Sequence, residues 1–129
     1  MTSTHLGYRI WLDHRGRAFG EGPAQLLEGV KRLGSLRKAA LELGMSYNKA
    51  WCILHAAEQR LGFQLLDRTV GGRRGGGSHL TLAAQDLMTR YGAVSAEASE
   101  ALEAVFQRHF AGWEHPGPYD FSTEPPPDL

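Results

Sequence analysis

The stretch from Ser35 to Leu82 constrains this chain most, because its apolar spacing, glycines and capping residues fix three elements in a row. SLRKAALELG places Leu36, Ala39, Ala40 and Leu43 at the i, i+3, i+4, i+7 spacing of one buried helical face. Gly44 ends that helix, and Ser46 caps the next by accepting a bond from its orphan backbone amides. The second helix, SYNKAWCILHAAEQRLG, carries its own stripe at Ala50, Ile53, Leu54, Ala57 and Leu61. A hairpin follows: a strand over Leu65, Leu66 and Asp67–Val70, the glycine-rich tip GGRRGGG, and a returning strand at His79–Leu82. Two short helices joined by a Gly-containing turn make a helix-turn-helix, which offers its second helix to the DNA major groove, and the hairpin is its wing.

The flanks supply the rest of the domain. Tyr8–His14 (YRIWLDH) has β-branched and aromatic residues in partial alternation, with Tyr8, Ile10 and Leu12 on one side. Arg15-Gly16-Arg17 turns that strand and Ala18-Phe19 begins its return, so an amino-terminal β-hairpin is expected. Gly22-Pro23 opens a helix with its stripe at Leu26, Leu27, Val30 and Leu33, and Gly34 ends it. Ser35 then caps the helix that follows. Thr81 caps a long last helix running to about Phe110, in which Ala84, Leu87, Tyr91, Val94, Ala98, Ala101 and Val105 are spaced as a heptad seam, widened by Leu102 and Phe106. At 1.5 Å per residue such a helix is roughly 45 Å long, more than a small domain covers alone. A second copy of the helix is the simplest cover for its far end; the competing reading is a helix that folds back on its own domain. Gly92 interrupts this helix and is expected to permit either a close approach or a bend.

The fold expected is therefore mainly α with small β: a winged helix-turn-helix over residues 1–110, with its dimerisation helix at about 81–110 and a Pro-rich acidic tail at 111–129. Five of the six prolines fall in that tail, which cannot pack as a regular element.

The formal net charge is zero, but it is unevenly placed. Residues 1–92 hold thirteen Lys and Arg against seven Asp and Glu; residues 93–129 hold one Arg against seven acids. The front is thus +6 and the rear −6. A basic front suits phosphate neutralisation, and an acidic rear would face away from DNA. Cys52 is the single cysteine, which excludes an intrachain disulfide and any CxxC motif. The amino terminus lacks the apolar run of a signal peptide and no segment is long enough to span a bilayer, so a reducing cytoplasm and no membrane partner are expected. GGRRGGGS lacks the GK[ST] ending of a phosphate-binding loop, and the six histidines are scattered without metal-ligand spacing. No nucleophile motif is present, so no enzyme is expected, and no cofactor is evident.

GMSYNKAW and LLDRTVGGRRGGGSHLTLAAQDLM resemble the amino-terminal DNA-binding domain of the molybdate-responsive ModE regulators, and more distantly the winged helix-turn-helix of LysR-type regulators. The likeness is strongest in SY-x-x-AW and in the GG-x-x-GGG wing with its L-T helix cap, and extends loosely from Tyr8 to about Phe110. It implies a homodimeric transcription regulator whose last helix pairs the subunits. Members of that family carry molybdate-binding domains after the long helix, where residues 111–129 hold only the tail. A response to molybdate or tungstate is therefore implied by resemblance alone, through a separate sensor protein; a single-domain regulator and a response to something else stand beside it.

The site residues follow from the helical wheel. Asn48, Cys52, His55 and Gln59 lie opposite the buried stripe of the second helix, with Lys49 and Trp51 on its flanks. Asn48 is the base-reading candidate, since a carboxamide bonds bidentately to adenine. Lys49 suits phosphate, or guanine if it turns inward. Trp51 is either a sugar-phosphate contact or a packing residue against the wing, and Tyr47 is expected half-packed with only its hydroxyl reaching outward. Ser35 and Ser46 start helices whose free amides favour phosphate, with Arg37 and Lys38 in the first turn after Ser35. Arg73 and Arg74 in the wing are placed to enter a minor groove or grip phosphate. The dimerisation set is Leu87, Tyr91, Val94, Ala98, Ala101, Leu102 and Val105. Double-stranded DNA and a second copy are the expected partners. The rival readings are a winged-helix module that binds a protein, the DNA-binding half of a split oxyanion-sensing system, and a small-ligand sensor, for which no convergent polar motif is found.

Overall fold

The computed structural model describes residues 4–68, 77–122, 124–125 and 127–128. Its elements run β1 (Leu12–Asp13), β2 (Arg17–Phe19), α1 (Glu21–Leu33), α2 (Leu36–Glu42), α3 (Tyr47–Leu61), β3 (Leu66–Arg68), β4 (Ser78–Leu80) and α4 (Leu82–Phe110). Order and type match the sequence reading throughout: hairpin, three helices, wing, long helix.

Each helix starts and stops for a local reason. Ser35 Oγ accepts from the Lys38 amide at 3.2 Å, Ser46 Oγ from Lys49 at 3.1 Å and Thr81 Oγ1 from Ala84 at 3.0 Å, each satisfying one orphan donor. Gly34 and Gly62 end α1 and α3 in the left-handed region at φ 69° and 86°, where a Cβ would be strained. Pro23 sits inside the first turn of α1, where its missing N–H has no helical partner to lose.

The core forms where these helices cross. Leu26, Leu27 and Val30 of α1 meet Leu36, Ala39 and Ala40 of α2 and Ala50, Leu54 and Ala57 of α3, and Phe19, Leu65 and Leu66 close the sides. Gly29 allows the closest approach, since a Cβ there would lie 2.7 Å from that of Ala39. The wing base is tied down by backbone bonds: Ser78 N–H donates to the Gly34 carbonyl at 3.2 Å and Thr81 N–H to the Leu65 carbonyl at 3.1 Å. β3 and β4 pair antiparallel, with Leu66 opposite Leu80 and Arg68 opposite Ser78.

Three expectations are corrected. Tyr91, expected in the dimerisation set, is packed into its own subunit's core. Its ring is 9% exposed and meets Phe19 edge-on at 5.2 Å, and its hydroxyl donates to the Ile10 carbonyl at 2.8 Å. Leu87 packs against the same core. The heptad spacing is continuous along α4, so its first half serves this chain's own domain before the stripe emerges; Val94 is 48% exposed and Val105 41%. The second correction is at Tyr8–His14, where only Leu12–Asp13 is strand. α1 begins two residues after Phe19, so β2 has no length left to pair with Tyr8–Trp11, and the Tyr91 hydroxyl holds that segment instead. In the wing, finally, β4 ends at Leu80 and Leu82 already opens α4. As for Gly92, among the described residues no atom of another part of the chain comes within 4 Å of where its Cβ would stand, so it marks no close approach among them.

Candidate nucleic-acid interface

The amino-terminal ends of α2 and α3 come together, and the residues that join them are those of the helix-turn-helix. Met45 N–H donates to the Ala40 carbonyl at 3.0 Å across the turn, and Gly44 sits at φ 71°. The Arg37 guanidinium lies over the Tyr47 ring, 4.4 Å from its centroid, so the two helix starts share a cation–π contact. Tyr47 is half-buried against the core, as its place on the wheel required, and Arg37 is exposed. Ser35 and Ser46 spend their hydroxyls on capping while the helix ends they cap stay accessible.

Asn48 and Lys49 are exposed in the first turn of α3, and Lys38 in the first turn of α2. Among the described residues these three side chains make no hydrogen bond, ion pair or ring contact. The acids of the two helices are occupied elsewhere. Glu42 is bound by Arg32 at the end of α1, and that hydrogen bond, aided by the guanidinium charge, holds the Glu42 carboxyl below its ordinary range and raises Arg32. Glu58 Oε2 accepts from the Leu65 amide at 2.7 Å and the Leu66 amide at 3.4 Å, pinning β3 to α3. The exposed front of α2 and α3 is left basic and polar, which is what a phosphate backbone and base edges require.

Trp51 is half-buried and stacks on His55, with ring centroids 4.5 Å apart and planes 14° from parallel. Together with Glu58, Phe63, Leu66 and Asp67 these rings line an open cleft of about 600 Å3 between α3 and the wing base. Trp51 is thus half-buried on the α3 wall of that cleft, a place compatible with both roles read for it in the sequence. Cys52, next to it in the helix, is exposed. Arg73 and Arg74 lie outside the described residues, as do the tip of the wing and the end of the strand expected over Asp67–Val70.

Two residues passed over in the sequence hold this surface in place. Glu58 is one. Arg60 is the other: its guanidinium donates to the Arg15 carbonyl and covers Gly16, docking the amino-terminal hairpin on the last turn of α3. Both lie at the edges of the buried stripe of α3, where a charge reads as solvated surface, and no local pattern announces Arg60's partner 45 residues away.

Comparison with known proteins agrees with this geometry. Residues 24–85 match the family described as bacterial regulatory helix-turn-helix protein, lysR family. The chain is 34% identical over 95 residues to the molybdenum-pterin-binding protein MopB of Rhodobacter capsulatus, covering 74% of this chain and 35% of that protein. It is 33% identical over 109 residues to the molybdenum transport protein ModE of Azotobacter vinelandii, covering 84% of this chain and 40% of that protein. The chain thus spans well under half the length of either relative. Among solved structures, the CbnR DNA-binding domain in complex with DNA superposes with a TM-score of 0.52 at 23% identity, over 71% of this chain and 95% of that one. That likeness is one of fold.

Proposed function

Because residues 24–85 match the family described as bacterial regulatory helix-turn-helix protein, lysR family, we propose a sequence-specific DNA-binding transcription regulator that acts as a homodimer. The observation that carries the reading is the unspent front of α2 and α3, where Lys38, Asn48 and Lys49 are exposed while Glu42 and Glu58 are tied to structural partners. In this reading α3 enters the major groove, with Asn48 at a base edge and Lys49 on phosphate or guanine. Ser35, Arg37 and Lys38 at the start of α2, and Ser46 at the start of α3, meet the backbone, and Arg73 and Arg74 of the wing reach the flanking groove. Trp51 contacts sugar or phosphate with its outer edge.

The homodimer reading is supported by the outer half of α4, where Val94, Ala98, Ala101, Leu102 and Val105 continue an apolar stripe beyond the domain it first serves. No helix among the described residues is long and apolar enough to cross a membrane.

Selection of bound duplexes from a random DNA pool tests the function. Enrichment of an inverted repeat with half-sites about 10 base pairs apart, or a multiple of that, is expected of a two-fold dimer. A pool that returns no preferred sequence would overturn the reading.

A further inference from the structure

A groove between the amino-terminal segment, the start of α1 and the middle of α4 collects polar groups that the sequence scatters. It encloses about 690 Å3 and is lined by Tyr8, Arg9, Ile10, Arg17, Tyr91 and Ser95, among others. Ser95 Oγ is buried there without a hydrogen-bond partner among the described residues, although a buried hydroxyl is costly to leave unpaired. Ser99, about one helical turn further along α4, lines the same wall. The Tyr91 hydroxyl is already spent on the Ile10 carbonyl, so these two residues offer the groove a mostly apolar side.

The opposite wall is positive. Gly20 precedes α1 and supplies no side-chain cap, so the amides of Glu21 and Gly22 open that helix without helical acceptors. The Arg17 guanidinium stands beside this helix start, with Nη2 3.9 Å from where a Gly20 Cβ would lie, and its one ring contact is with Trp11. A cation at the positive end of a helix is unfavourable unless an anion joins it. Among the described residues neither Arg17 nor Arg9 forms an ion pair, and the acid that lines the groove, Glu21, accepts from Gln25. DNA does not account for Arg17. The hairpin that bears it docks on Arg60 in the last turn of α3, about 18 Å along that helix from Asn48.

We propose that this groove binds a small organic anion, a carboxylate or phosphate monoester head joined to a ring or short apolar body. The head lies between Arg9, Arg17 and the first amides of α1, since guanidinium forks and helix amides both favour oxyanions. The body lies against Tyr8, Ile10 and Tyr91, and Ser95 Oγ hydrogen-bonds the ligand from the α4 wall. Size favours a body over a bare ion. The groove falls within the range of about 300–1,000 Å3 typical of small-molecule sites, which an inorganic ion would leave largely wet. The members of the site come from residues 8–10, 17–25 and 91–99, which is why no convergent polar motif shows in the sequence.

Titration of the full chain with phenylacetate and with phenyl phosphate, followed by calorimetry and by backbone amide NMR shifts, tests the site. Saturable binding of at least one is expected, with shifts confined to residues 8–10, 17–25 and 91–99. The tighter of the two assigns the head as carboxylate or phosphate. Acetate, inorganic phosphate and benzyl alcohol carry the head or the body alone, and each should bind at least about tenfold more weakly. Arg9→Gln should weaken the tighter probe about tenfold or more, as should Arg17→Gln; Arg9 is exposed and holds no structural partner, so its variant reads the site even if the other fails to fold. Ser95→Ala should weaken the probe while leaving the melting temperature unchanged or raised, because it removes an unpaired buried hydroxyl; a merely structural serine would give the reverse. The proposal is overturned by no saturable binding of either probe, by shifts centred on the starts of α2 and α3, or by head or body alone binding as tightly as the probes. Unchanged affinity in Ser95→Ala, or in every folded arginine variant, overturns it equally. No DNA is present in the titration, so these outcomes leave the regulator reading intact, and a DNA pool without a preferred sequence leaves the groove intact.

Discussion

Replacing Glu58 by leucine tests how the wing is held to the recognition helix. The carboxylate accepts from the Leu65 amide at 2.7 Å and the Leu66 amide at 3.4 Å, and both of those residues are buried, Leu65 completely. Leucine fills a similar volume but accepts nothing, so the Leu65 N–H is left without its partner away from water. A hydrogen bond to a charged group contributes about 1.5–3 kcal/mol, and an orphaned buried donor costs a like amount. The Glu58 side chain is 21% exposed, so water relieves part of the loss and about 2 kcal/mol is the expected cost. Glu58→Gln keeps one acceptor without the charge and should lose about half of that. Urea unfolding followed by circular dichroism reads the difference. At an m-value of about 2 kcal/mol/M the leucine variant should unfold at about 1 M less urea, with its helical signal intact beforehand. Because the anchor sits at the base of the wing, DNA affinity should fall further than for a surface change of equal stability cost. A leucine variant within about 0.5 kcal/mol of the parent, the range of ordinary surface substitutions, would refute the assignment of Glu58 as the wing anchor.

Asn48→Ala should cost about 1–3 kcal/mol at the selected DNA site and little on random duplex; equal losses on both would make Asn48 a backbone contact. Arg73→Ala with Arg74→Ala should weaken binding to every sequence and lower the magnitude of the salt slope by about 2, read by titration across ionic strengths; an unchanged slope removes the wing from the interface. Ala101→Glu sets like charges together across the two-fold axis, a burial costing on the order of 3 kcal/mol, and should give a helical monomer by light scattering that no longer binds its operator tightly. Retention of the dimer would place the seam elsewhere.

The sequence by itself determined the order and type of every element and most of their boundaries. Those signals are local: Ser35, Ser46 and Thr81 cap within one helical turn, Gly34 and Gly62 stop helices by tolerating φ above zero, and the apolar stripes of α1 to α3 recur at the helical period. Exposure of Asn48 and Lys49 and the half-burial of Tyr47 followed from the same wheel. Tertiary structure decided whatever depended on a distant partner. Tyr91 belongs to the subunit core because Phe19 and the Ile10 carbonyl come to meet it, although its spacing continues the seam that leaves the domain. Tyr8–Trp11 is not strand because α1 takes over the chain before β2 is long enough to pair with it. Glu58 and Arg60 look like solvated charges in the sequence, yet one holds the wing and the other the amino-terminal hairpin. Periodicity and capping act over three to seven residues and are written in the neighbours of each position, whereas the partner of a side chain is set by which elements the fold brings beside it.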